Sequence, residues 1–168
     1  MKQRAQSILF FLSAVVLGLL FFMPLTSYLD EYGTYYKLFV YGINVVSVAP
    51  GVELPFSAIY ALPLLILTVA IILISFYVSM SIFRAVKLNQ FVKLFKLSRI
   101  NVALTVVLIA TIFVYYLMKT GAPIAAAPSF RWPAWGVFLP LVALVMMLLG
   151  SSGLKKDIDK VRSINRLR

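Results

Sequence analysis

The chain has 168 residues, of which 62% are hydrophobic and 12% charged, against an apolar share of about 45–50% in soluble domains. A soluble domain of ~150 residues leaves about 30% of its surface in water, so composition excludes a soluble globular protein and predicts a membrane protein. There is no Cys and no His, which removes thiolate and imidazole chemistry, a disulfide framework and the usual ligands of zinc, haem or iron–sulfur clusters; no cofactor is expected.

Charge-free stretches cover 5–29, 54–83, 100–118 and 132–154. Each approaches or exceeds the ~20 residues a helix needs to cross hydrocarbon at about 1.5 Å per residue. The expected fold is an all-α membrane protein, one domain over 1–168, with four transmembrane helices at about 7–28, 56–83, 100–118 and 134–154 and a basic helical tail 155–168. Barrel strands would be ~10 residues long with alternating polarity, and no such pattern occurs. The first span follows Lys2 and Arg4. Its apolar run exceeds the about 7–15 residues of a signal peptide and no Ala-x-Ala-like site follows, so it is expected to stay as an anchor. Ala14 and Gly18 stand four apart within it, the spacing of a small-residue helix contact.

In the outer loop 30–55, Tyr35, Tyr36, Leu38, Phe39, Val40 and Tyr41 favour strand. Gly42 through Asn44 can turn the chain before Val45, Val46 and Val48, which predicts a short hairpin closed by Pro50–Gly51. The tyrosines suit an interfacial aromatic belt. Alternatively Tyr35, Tyr36, Phe39 and Tyr41 form a small docking edge, since an exposed two-stranded ribbon invites strand addition. The second span carries Pro63 roughly two turns in, and Ser75 and Ser79 at a second small-residue spacing. The inner loop 84–99 mixes Arg84, Lys87, Lys93, Lys96 and Arg99 with Leu88, Phe91, Leu94 and Phe95. The second outer loop, about 119–133, holds Pro123, Pro128 and Pro133 and cannot be helical throughout. Trp132 and Trp135 flank the entry of the fourth span, which carries Pro140 and ends at Gly150-Ser-Ser-Gly153, read as a short flexible junction. In the tail, Leu154, Ile158, Val161, Ile164 and Leu167 form an apolar stripe, with Lys155, Lys156, Lys160, Arg162, Arg166 and Arg168 around it.

The charges give an orientation. The N-terminus, the loop 84–99 and the tail carry 13 basic residues against Asp157 and Asp159, which accounts for the whole net charge of +11. The opposite side balances Lys37, Lys119 and Arg131 against Asp30, Glu31 and Glu53. The positive-inside rule then predicts that both termini are cytoplasmic. The basic loop and tail are expected to meet anionic lipids at that face, or a partner protein. Nucleic acid is not expected, since topology already demands these charges.

No Asp, Glu, Lys, Arg or His lies within the four spans, whereas proton relays and ion-coupled transporters usually place ionisable groups there. The hydroxyls of Ser13, Thr68, Ser75, Ser79, Thr105 and Thr111 can bond to carbonyls of the preceding turn or line a polar path. There is no paired acid set in one layer, no Ser–His pair and no phosphate-binding glycine loop, so an enzyme is not expected.

The opening Met1-Lys2-Gln3-Arg4-Ala5-Gln6-Ser7, the Leu97-Ser98-Arg99-Ile100-Asn101 entry to the third span, Phe138-Leu139-Pro140-Leu141, and the ending Lys155-Lys156-Asp157 with Val161-Arg162-Ser163 and Arg166-Leu167-Arg168 resemble a family of short four-span inner-membrane proteins of Bacteroidota that carry a domain of unknown function. The resemblance covers essentially the whole chain. It implies a bacterial cytoplasmic (inner) membrane location and the same topology, and it implies no activity. The function expected is a non-enzymatic accessory or scaffolding subunit of a membrane assembly, with an unidentified membrane protein as partner. The alternative is a small transporter of lipid or hydrophobic solute.

Overall fold

A computed structural model describes residues 2–29, 35–47, 62–85, 88–113, 129–130 and 135–166. The molecule is mostly helical. Helix α1 spans Lys2–Gly18 and ends in a 3-10 turn, Leu19–Phe21. Strands β1 (Thr26–Leu29), β2 (Tyr35–Phe39) and β3 (Gly42–Ser47) follow, then α2 (Leu62–Arg84) and α3 (Leu88–Thr111). The short β4 (Ser129–Phe130) and a second 3-10 turn, Trp135–Phe138, lead into α4 (Leu139–Arg166). Three helical stretches, Leu62–Arg84, Asn89–Thr111 and Trp135–Lys160, are long and apolar enough to cross a membrane; Ala5–Phe21 is a shorter apolar helix.

Helix α1 packs against α2 and α4, and α3 packs against the same two on the other side. The core is one apolar cluster. It includes Phe91, Leu94 and Ile158 near one end, Phe10, Ile71, Val78, Leu108, Ala143 and Met147 along the helices, and Leu17, Leu20, Leu25, Leu38, Val40 and Val137 towards the other. Two prolines stand early in the described helices. Pro63 and Pro140 are the second residues of α2 and α4, in the first turn, where no intrahelical partner is required. The residues before Leu62, and with them the first part of the predicted second span, lie outside the described residues.

The four strands form one antiparallel sheet in the order β3-β2-β1-β4. The first predicted span is thus too long at its end. Pro24 disfavours helix in the residue before it, the helical turns stop at Phe21, and Thr26–Leu29 becomes β1. The predicted hairpin is present as β2–β3, but it reverses at Val40–Tyr41, with Phe39 paired to Gly42. Val40 is fully buried, so packing fixes the reversal, and Gly42 begins a strand. Pro50–Gly51 lies outside the described residues. Through β1–β4 pairing, Tyr28 with Phe130 and Leu29 with Ser129, the sheet joins the two predicted outer loops.

Two further expectations change. The inner loop 84–99 is largely helix, because Leu88–Arg99 forms the first three turns of α3. Gly150-Ser-Ser-Gly153 is no flexible junction but lies inside α4, where its glycines allow α1 to approach. A Cβ at Gly150 would stand 2.8 Å from the Phe10 ring, and one at Gly153 2.9 Å from the Gln6 side chain. A Cβ at Gly136 would meet the Pro24 carbonyl oxygen at 2.5 Å. Gly18, expected at a tight crossing, has open space where its Cβ would be. Gly150→Ala should therefore destabilise the fold by about 1–3 kcal/mol, whereas Gly18→Ala should be neutral or stabilising by up to about 1 kcal/mol. Thermal unfolding in detergent, followed by circular dichroism, measures both.

Candidate functional site

The helices bury polar residues and expose apolar ones. Gln6, Ser7, Ser13, Thr68, Ser75, Ser79, Ser98, Asn101, Thr105 and Ser151 are all buried. Phe22, Ile66, Leu73, Phe76, Phe83, Ile100, Val107, Val145 and Leu149 are exposed, and Trp135 is 82% exposed. Water as the surrounding solvent would favour the reverse.

The buried groups form a seam tying each helix to its neighbours. Between α1 and α2 the contact is reciprocal: the Ser7 hydroxyl donates to the Ser79 carbonyl oxygen at 2.7 Å, and the Ser79 hydroxyl donates to the Ser7 carbonyl oxygen at 2.9 Å. Between α2 and α3, Asn101 Nδ2 donates to Ser75 Oγ at 2.6 Å. Between α3 and α4, Thr105 Oγ1 lies 3.3 Å from Met147 Sδ, and Ser98 Oγ lies 3.2 Å from Ser151 Oγ. Between α1 and α4, Gln6 Nε2 donates to Asp157 Oδ2 at 2.8 Å. Gln6 Oε1 and Asn101 Oδ1 are buried with no hydrogen-bond partner, so the seam has unused acceptors. The hydroxyls of Thr68, Thr105 and Thr111 each reach the carbonyl four residues back, at 2.7–2.8 Å, and Ser13 bonds to the Phe10 carbonyl oxygen.

These contacts also fix relative depth. The start of α1, the end of α2, the start of α3 and the late turns of α4 lie at one end of the molecule. Arg84, Lys93, Lys96, Arg99, Lys155, Lys156, Lys160 and Arg162 are exposed there; Arg166 is the last residue of α4, and Lys87 and Arg168 lie outside the described residues. Two grooves open at this basic end. One, of about 230 Å³ between α2 and α3, is lined by Tyr77, Ser81, Arg84 and Lys93 among others. The other, of about 460 Å³ between α3 and α4, has Arg99, Lys155, Ser151 and Ser152 over an apolar floor.

The sheet occupies the opposite end. Phe39 and Tyr41 stack there at 5.3 Å between ring centroids, and Lys37 Nζ sits 5.8 Å from the Tyr35 ring centroid. Tyr36 belongs to β2. β3 is an edge strand of a four-stranded sheet, not half of an isolated ribbon.

Of the expected packing residues, Ala14 is buried in α1 and Gly18 contacts nothing closely. Ser75 and Ser79 both lie at helix contacts, Ser79 against Ser7 of α1 and Ser75 against Asn101 of α3, and they make them through hydrogen bonds. Gln6, Ser7, Ser98, Ser151, Gly150 and Gly153 were missed as contact residues. The signal available was shared faces: Thr68, Ser75 and Ser79 recur at intervals of seven and four, and Ser98, Asn101 and Thr105 at three and four, so each set makes one polar stripe. Replacing both Ser7 and Ser79 by Ala should cost less than the two single substitutions summed. The expected coupling energy is about 0.6 kcal/mol, and at most about 1.7, read from a double-mutant cycle of unfolding in detergent.

Among the described residues, no three His, Cys, Asp or Glu side chains gather at a point. No curated protein matches the chain at a significant level. The family described as "Domain of unknown function (DUF4293)" matches residues 2–167, nearly the full length, and the chain belongs to that family.

Proposed function

We propose that the chain is an integral protein of the bacterial inner membrane that crosses it four times, with both termini cytoplasmic. In this reading it serves as a non-enzymatic accessory or scaffolding subunit of a larger membrane assembly. The carrying observation is the distribution of side chains: hydroxyl and amide groups buried among the apolar core, a large set of bulky apolar groups exposed along the helices, and exposed basic residues collected at one end. In lipid, polar groups must satisfy one another, and the seam between the helices pairs most of its own, leaving the acceptors Gln6 Oε1 and Asn101 Oδ1 unused. The fourth span is α1 with its 3-10 turn. Its apolar stretch Ala5–Phe21 covers roughly 26 Å at about 1.5 Å per residue, slightly shorter than the ~30 Å core, and its flank exposes Ile8, Phe11, Leu12, Val15 and Leu19.

The scaffolding role draws on what the two ends offer. One presents the edge of β3, which among the described residues pairs only with β2, with the Phe39–Tyr41 stack nearby, the kind of edge to which a partner strand adds. The other presents helical extensions rich in Lys and Arg. A hydroxyl-lined transport path finds less support. Thr68, Thr105 and Thr111 are satisfied on their own helices, and Ser75 receives Asn101.

Crosslinking mass spectrometry on the chain, extracted in mild detergent from its native membrane, tests the role. Crosslinks from Lys37, or from the tail lysines Lys155, Lys156 and Lys160, to a reproducible partner are expected. Recovery of a monomer with lipid alone would overturn the scaffold. For orientation, a reporter active only in the cytoplasm should work when fused after Arg168 and fail when inserted in the outer loop 30–55. The opposite pattern would invert the topology.

A further inference from the structure

We infer that the groove between α3 and α4 at the basic end is a discrete site for one anionic phospholipid. Its phosphate sits between Arg99 and Lys155, and its acyl chains lie along Val102, Ala103 and Leu148. This rests on the membrane reading above and adds to it a ligand class, a place and a stoichiometry.

The first support is depth. Arg99 is the last charge before the uncharged run 100–118, and Lys155 is the first after 132–154. The helices are antiparallel and in fixed register, since Ser98 faces Ser151 at 3.2 Å and Thr105 faces Met147. Both cations therefore mark one level, the boundary between hydrocarbon and headgroups, and both line the same groove.

The second is unpaired charge. Among the described residues neither Arg99 nor Lys155 has a carboxylate partner. Asp157, two residues beyond Lys155, accepts from Gln6 of α1 on another side of α4. Asp159, one turn beyond Lys155 on the same face of α4, is exposed and among the described residues forms no ion pair with either cation; a phosphodiester between Arg99 and Lys155 gains charge-assisted hydrogen bonds from both.

The third is the grading of the wall. Ser151 and Ser152 stand beside the cations, and Val102, Ala103 and Leu148 form the floor. That order, cation then hydroxyl then hydrocarbon, follows a phospholipid from phosphate to glycerol to acyl chain. The groove's volume of about 460 Å³ falls in the roughly 300–1,000 Å³ range of ligand pockets. A soluble anion would have no use for the apolar floor, and an acidic peptide would have to enter hydrocarbon to reach it.

The test titrates the purified full chain, in neutral detergent, with phosphatidylglycerol or phosphatidylcholine and counts bound lipids by native mass spectrometry. One phosphatidylglycerol per chain should be retained in preference to phosphatidylcholine. R99Q/K155Q should weaken that retention by about thirtyfold. K156Q/K160Q, an equal charge change outside the groove, should leave it intact, and R99K/K155R should preserve it. Circular dichroism spectra matching the wild type establish that the variants fold. Equal losses in the two Gln pairs would reduce the site to diffuse attraction, and equal retention of both lipids would remove it. Displacement by glycerol phosphate at the concentration of the lipid would make it a soluble-anion site and overturn the proposal. Retention of the chain in membrane pellets after an alkaline wash is read in parallel. Loss from the pellet overturns the membrane reading, whereas a pelleted chain without lipid preference overturns only this site.

Discussion

Each buried polar side chain between the helices must be satisfied by a neighbour, and this constraint organises the rest of the structure. Asn101 is fully buried and spans the space between Ser75 of α2 and Met147 of α4. In an apolar surrounding, helices gain little by hiding leucines from one another, because lipid tails are as apolar as the leucines. Shape and hydrogen bonds then decide which faces meet. The Ser7–Ser79 clamp, the Asn101–Ser75 bond, the Ser98–Ser151 contact and the Gln6–Asp157 bond set the rotation and register of α1, α2, α3 and α4. A one-residue slip in any helix would leave a polar group among carbons.

The two ends are held by different means. Near the basic end the polar seam does the tying, helped by Gly150 and Gly153, which let α1 come close to α4. Towards the other end the helices carry mainly hydrocarbon inside, and the sheet takes over. Leu25 and Val40 are buried beside β1 and β2 respectively, the Leu25 N–H donates to the Leu38 carbonyl oxygen, and Gly136 lies close to the Pro24 carbonyl. Strand β1 starts five residues after the 3-10 turn that ends α1. The short first helix is thereby anchored at both ends, by the Gln6–Asp157 and Ser7–Ser79 bonds at its start and by the sheet beyond its end.

The sequence made some of this legible and withheld the rest for physical reasons. Composition marked the apolar segments, because exclusion of charge from hydrocarbon is a strong one-dimensional signal. The tyrosine- and valine-rich hairpin was also visible, because β-branched and aromatic residues cluster in strands. The site of its reversal was not: Val40–Tyr41 has no turn chemistry of its own, and the burial of Val40 together with Gly42 at φ +157° closes the loop there. β4 was hidden because it pairs with a segment distant in sequence, and β1, although it pairs with the neighbouring β2, because Thr26–Leu29 reads as the tail of an apolar run. Glycine spacing misled in both directions. Gly18 sits in a small-residue pattern and faces open space, while Gly150 and Gly153, spaced like a loop, are where α1 packs. A pattern of small residues fixes where a helix could be approached, and only the partner's position decides whether it is.

The basic end carries the last step. Positive charge beyond the end of a span is enough to orient it, and topology asks for nothing more exact than a majority on one side. Topology does not require two cations from different helices at one depth in one groove, nor a neighbouring aspartate committed to a buried glutamine. Gln6 can hold Asp157 because Gly153 leaves room for its side chain, and that same arrangement removes the acid nearest in sequence to Lys155. The packing of α1 on one side of α4 thus turns Asp157 away from the groove, and Asp159 is the acid that shares the face of Lys155. Through this coupling, the seam that aligns the helices also shapes the electrostatic field of the groove between α3 and α4.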